Sequence, residues 1–133
     1  MRPEICVGAV VVDDDHLLLV RRGRGAAAGT WSVPGGRIEA GETAHEAVLR
    51  ELREETSIDG VCGELIGWAE LISEEHHAVV LDFAVTLLEA ADPVAGDDAA
   101  EARWVPLWDV ADMNLAPGLA EFLHDHDILV TIV

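Results

Sequence analysis

The chain has 133 residues, half of them hydrophobic, which suits one domain with a real core and excludes a disordered polypeptide. Its formal net charge is −18 and all eight basic residues are arginine, so no basic groove is available to follow a nucleic acid backbone. A small nucleotide stays open as a ligand, because a bound divalent cation supplies positive charge locally.

Residues 4–12 (EICVGAVVV) are β-branched and almost continuously apolar, which predicts a buried strand. That run is too short to span a bilayer and no cleavage-type site follows it, so a cytoplasmic protein without a membrane partner is expected. Asp13, Asp14 and Asp15 read as a solvated hairpin turn rather than a metal site. The returning strand is 16–22 (HLLLVRR). Arg21, Arg22 and Arg24 form the densest basic cluster, suited to phosphates or simply to a solvent-facing strand end; Arg22 is the candidate for substrate binding. After a Gly- and Ala-rich loop at 23–29, Trp31 either stacks on a base or packs in the core. Cys6 and Cys62 belong to no CxxC pair and are read as buried thiols.

The stretch 35–58, GGRIEAGETAHEAVLRELREETSI, organises the chain. Thr43 followed by Glu46 is a capping box, and no Gly or Pro interrupts 44–56, so a helix is predicted there. Val48, Leu52 and Thr56 make its inward stripe. Glu51, Glu54 and Glu55 stand at i, i+3 and i+4, with Cβ atoms roughly 5–6 Å apart. Three carboxylates that close repel one another unless a cation sits among them, and hard oxygen ligands suit Mg²⁺ or Mn²⁺. Arg50 is placed to brace Glu54, and Glu46 to brace Arg50. Ala44 and Ala47 beside the acidic face leave room for a ligand. The plain alternative is a solvated, salt-bridged helix.

Beyond the helix, 60–72 predicts a strand made irregular by Gly63 and Gly67, followed by a turn at 74–77 and a strong strand at 78–88. His76 and His77 lack a second ligand pair, which argues against zinc. A loop at 92–100, a short strand at 102–105 and a turn or short helix at 106–111 come next. A helix over 117–126 opens with Pro117, and its His124 and His126 are read as solvated. The apolar tail 128–133 is expected to pack on the sheet or at a homodimer interface.

Gly36, five residues, Glu42, seven residues, then Arg50-Glu51-Leu52-Arg53-Glu54-Glu55 and Ile58 resembles the signature of the Nudix (MutT-like) hydrolases, and the box is read as 36–58. The preceding GTWSVPGGRIEAGE extends the likeness upstream. Ser57 is the one departure, standing where the family has glycine. A residue after a helix often takes φ > 0, where serine costs roughly 1 kcal/mol; Gly60 is the candidate to take over that turn. The resemblance implies an α+β fold over a single domain, 1–133: a mixed sheet sandwiched between helices.

It further implies hydrolysis of a nucleoside diphosphate linked to a group X, by water attack on the pyrophosphate. The leading substrates are ADP-ribose-like nucleotide sugars and (oxidised) deoxynucleoside triphosphates. Glu51, Glu54 and Glu55 are the metal ligands, joined by resemblance by the main-chain carbonyl of Gly35. Glu42 and Arg50 hold loop and helix together, Gly35 and Gly36 permit the turn, and Arg37 is a candidate phosphate contact. The proton acceptor is sought in Glu54, Glu55 or a carboxylate of the loop before Trp104, namely Asp97, Asp98 or Glu101. Glu74 and Glu75 stand in reserve. A non-catalytic nucleotide-binding module is the alternative, against which the intact carboxylate set argues.

Overall fold

A computed structural model describes residues 2–25, 27–96 and 98–129, so expectations for Asp97 and for 130–133 lie outside the described residues. Strands β1 (Glu4–Asp13) and β2 (His16–Arg22) form the predicted hairpin. Asp14 and Asp15 carry φ of 48° and 59°, the left-handed pair that a tight two-residue hairpin turn demands. β1 is the hub of a mixed sheet. Its first half pairs with β4 (Gly35–Arg37), its far end with β2, and β6 (His77–Leu87) runs parallel along its length. Outside β6 lies β5 (Gly60–Ile72), and β2 carries β3 (Trp31–Ser32) and β7 (Ala99–Pro106).

β4 was not expected. Gly35 and Gly36 are strand residues without positive φ, so they do not make the turn assigned to them. What they permit is close approach. A Cβ on Gly36 would come within 2.6 Å of the Glu51 carboxylate, and one on Gly35 would collide with the Val7 carbonyl oxygen.

Helix α1 (Ala44–Thr56) has the predicted bounds, and both halves of the Thr43–Glu46 capping box are present. Glu46 is therefore occupied with the helix start and does not brace Arg50. Val48, Leu52 and Thr56 are fully buried, as the stripe predicts. So is Ala47, which fills the core and leaves no space for a ligand. The helix ends on Ser57 at φ 62°, and Gly60, with no positive φ, is already the first residue of β5. Serine itself thus bears the left-handed turn.

β5 is irregular where its glycines are: the pairing with β6 shifts between Cys62 and Leu65 and again between Leu65 and Gly67. β7 begins three residues before the expected strand, because Ala99 and Glu101 pair with Arg22 and Arg21 of β2. Short α2 (Leu107–Val110) follows, then α3 (Leu119–Asp125), which starts after Gly118 at φ 81° and leaves Pro117 outside the helix.

Two apolar layers cover the sheet. Val7, Ala9, Val11, Phe83 and Val85 pack against Val48 and Leu52 of α1. Val10, Leu17, Leu19 and Val105 pack against α2 and α3 on the other face, together with Trp31 and Leu129. The sandwich is the expected one. The thiols of Cys6 and Cys62 are free and only half-buried. Among the described residues no helix is long and apolar enough to cross a membrane.

Candidate active site

Arg50 organises the carboxylates. Its Nε and Nη2 donate to the two oxygens of Glu42 at 2.7 and 2.9 Å, and Nη1 donates to Glu51 at 2.8 Å and Glu54 at 3.3 Å. Nη2 also reaches the Arg37 carbonyl oxygen at 2.9 Å. One guanidinium thus ties the loop, β4 and α1 together. The Arg50 hydrogen bonds, helped by the Glu39 backbone N–H, hold the Glu42 carboxyl down at about 2.

Glu51 and Glu55 behave oppositely. Glu51 is pressed against Gly36 and burial pushes its carboxyl up, with Glu54 adding repulsion. Glu55 accepts the Gly35 N–H at 3.0 Å, yet burial and the Glu51 charge raise it to about 7. Glu54 is well exposed and faces solvent. Two half-buried acids held above their ordinary range by burial thus stand beside a third that is open to water.

This donor set fits a divalent cation. Among the described residues no three acidic, imidazole or thiol groups are already gathered as a cage; Arg50 stands between Glu51 and Glu54. In a strand the N–H and C=O of one residue point the same way, so the Gly35 carbonyl faces the side where its N–H meets Glu55. The Gly35 carbonyl and Glu55 therefore share one rim, with Glu51 against the neighbouring Gly36.

A cavity of about 300 Å³ opens from this rim along the sheet, running from Arg22, Gly35 and Gly36 to Asp82 and Phe122. Among the described residues Arg22 is in ion-pair contact with no carboxylate, and its charge is felt at Glu55. Arg37 is exposed and pairs with Glu4 at 3.3 Å. Trp31 is 7 % exposed, in the core with the Arg103 guanidinium 4.7 Å over its ring. That is the core alternative, and it removes Trp31 from the substrate contacts.

The loop carboxylates separate. Glu101 lies on β7, not in a loop, and pairs with Arg21 at 3.6 Å and Arg103 at 3.3 Å. Asp98 is exposed and pairs with Arg24 at 3.0 Å. Its loop is tied to the end of α1, for Gly96 donates to the Glu55 carbonyl oxygen and Val94 to that of Thr56.

Sequence reasoning missed Asp82. It is 5 % exposed and lines the cavity. Burial raises its carboxyl to about 6, opposed by the charge of His126. A signal existed: Asp82 is the only charged residue in the apolar run 78–88.

The NUDIX domain family model matches residues 2–126. The chain belongs to that family. A Methanocaldococcus jannaschii protein named ADP-ribose pyrophosphatase is 30 % identical over 98 % of this chain and 72 % of its own length. A Mycobacterium tuberculosis protein provisionally named 8-oxo-dGTP diphosphatase 3 is 32 % identical over 69 % of this chain and 44 % of its own length. Among solved structures, a MutT protein from Methanosarcina mazei superposes with a TM-score of 0.85 at 28 % identity, covering 96 % of this chain and 95 % of that one. This Nudix chain is accordingly an enzyme, a hydrolase of phosphoric anhydrides.

Proposed function

We propose that the chain hydrolyses a nucleoside diphosphate linked to X, with Mg²⁺ or Mn²⁺ as cofactor. The observation that carries this reading is the triad of Glu51, Glu54 and Glu55 on one turn of α1, with Glu51 against Gly36 and Glu55 accepting the Gly35 N–H of the adjoining strand. Glu51, Glu54, Glu55 and the Gly35 carbonyl would hold the metal. Bound there, a divalent ion neutralises pyrophosphate charge and makes phosphorus a better electrophile.

The protein supplies the rest. Arg22 at the cavity mouth meets the phosphates, with Arg37 on the outer side of β4. Glu55, which accepts the Gly35 N–H at the cavity rim, is placed to take the proton of the attacking water through the oxygen it does not give to the metal. The water oxygen bonds to phosphorus, the anhydride P–O bond breaks, and the leaving phosphate carries away its electron pair. Asp98 is the second reading for the base, supported by the hydrogen bonds that tie its loop to the end of α1. Its relatives' names favour ADP-ribose-like nucleotide sugars and oxidised deoxynucleoside triphosphates as substrates.

The test is a panel of ADP-ribose, canonical and oxidised nucleoside triphosphates with Mg²⁺ or Mn²⁺, products resolved by chromatography. Metal-dependent release of a nucleoside monophosphate supports the reading, and no turnover of any member overturns it.

A further inference from the structure

Helix α1 supports its three clustered glutamates unevenly. Glu51 stands one turn inside and is held by Arg50, whereas Glu54 and Glu55 occupy the last turn before Thr56. The final four carbonyls of a helix lack intrahelical partners, and helix ends fray. Here the Ser57 N–H takes the Arg53 carbonyl oxygen at 2.9 Å, and the Ile58 N–H turns to the Thr56 hydroxyl at 3.3 Å. The carbonyls of Glu55 and Thr56 find their donors far along the chain. Gly96 donates to the first at 3.0 Å and Val94 to the second at 2.8 Å.

Gly96 has no positive φ, so no left-handed turn requires glycine there. Proximity does. A Cβ would collide with the Glu54 carbonyl oxygen and come within 3.4 Å of the Glu55 Cα. The segment is also fastened on both sides. Before it, the Trp104 indole N–H donates to the Ala91 carbonyl oxygen at 2.9 Å. After it, Asp98 pairs with Arg24 at 3.0 Å, and its carbonyl oxygen accepts the Gly23 N–H at 3.2 Å. Trp104 belongs to β7 and Gly23 directly follows β2, so the segment ties the last turn of α1 to the sheet. Side-chain direction follows the helix backbone. A last turn that unwinds would carry Glu54 and Glu55 away from Glu51.

We propose that Gly96 is a positioning residue: together with Val94 it straps the last turn of α1 and keeps Glu54 and Glu55 beside Glu51 for a divalent cation. This rests on the reading of those glutamates as metal ligands. The experiment is Mn²⁺ titration of the metal-free protein below its melting range, followed by the paramagnetic resonance of the free ion. Gly96→Ala should bind Mn²⁺ at least about 10-fold more weakly than the wild type, the usual cost of losing a group that orients a ligand. Val94→Pro removes the N–H of a residue whose side chain is exposed, and should lose as much. Val94→Ala keeps that N–H and should bind at least about 10-fold tighter than Val94→Pro. In both weakened variants the Thr56 and Ser57 amides should exchange faster with solvent, while those of Val48 and Leu49 keep their rates. Coupling is reciprocal, so saturating Mn²⁺ should slow exchange of the Val94 and Gly96 amides in the wild-type chain, a reading that needs no variant to fold.

A folded Gly96→Ala or Val94→Pro that binds Mn²⁺ as the wild type does overturns the proposal, even where its Tm has dropped, since the strap is then structural only. So does weaker binding without faster exchange in the last turn, or wild-type exchange indifferent to Mn²⁺. Glu54→Gln separates the two readings. If it leaves Mn²⁺ binding intact, the ligand assignment fails; if it weakens binding and the strap variants do not, the strap alone fails.

Discussion

Arg50 meets Glu42 through two nitrogens and two oxygens, 2.7 and 2.9 Å apart, across eight residues of chain. A fork-to-fork pair of this kind depends on guanidinium geometry that an ammonium group does not reproduce. Arg50→Lys should therefore release the loop at Glu39–Glu42 from α1 and let Glu51 drift from Gly36. We expect kcat to fall about 10-fold or more and Tm by several degrees. Retention of both by the lysine variant would refute the positioning role.

Glu54 is the ligand candidate least engaged by the protein itself. Glu54→Gln should cut kcat at least about 100-fold, since lost metal-assisted charge stabilisation is worth several kcal/mol. The melting curve should hardly move, because the side chain is exposed. Near wild-type kcat on the best panel substrate would remove Glu54 from the ligand set.

Ser57 sits at φ 62°, and its hydroxyl reaches only the Val94 carbonyl oxygen at 3.5 Å. Ser57→Gly should raise unfolding free energy by some tenths to about 1 kcal/mol. Urea melts decide it: a clear loss of stability would mean that the serine contact outweighs the backbone strain.

The raised acids set a pH dependence for the metal-free protein. Glu55 moves from 4.5 to about 7 and Asp82 from 3.8 to about 6. Between those limits the folded chain holds protons that the unfolded chain has released, so stability falls as pH rises from about 4.5 to about 7. Glu42, held at about 2, acts in the opposite sense below 4.5, where stability declines again, weakly because the pair is screened by solvent. Thermal melts in chelator from pH 4.5 to 8 should show this, and Glu55→Gln should flatten the slope. A slope unchanged in that variant would detach the effect from Glu55.

How much of this was legible follows from which contacts are local. The capping box at Thr43 and Glu46 and the stripe of Val48, Leu52 and Thr56 span a few residues each, and the helix came out at its predicted bounds. β4 was invisible because its partner β1 lies nearly thirty residues upstream, and two glycines next to a loop carry no strand propensity of their own. β7 was drawn short for the same reason: Ala99–Glu101 become strand by pairing with Arg21 and Arg22. Among site residues, the carboxylate spacing named the cluster. The environments of Trp31 and Asp82 were set by distant elements, α2 and α3 for the first, β1 and the end of α3 for the second.

Among the described residues, strand β5 ends the sheet on one side and leaves Val61, Leu65, Trp68 and Ile72 exposed. A second copy could pair along that free edge, and what opposes it is long-range repulsion between chains of charge −18. Repulsion of this kind reaches about 30 Å in 0.01 M salt and only about 3 Å in 1 M salt. Ionic strength thereby becomes the control on assembly: light scattering should find single chains in dilute buffer and a growing associated fraction as salt rises, with Trp68→Glu holding the chains apart throughout.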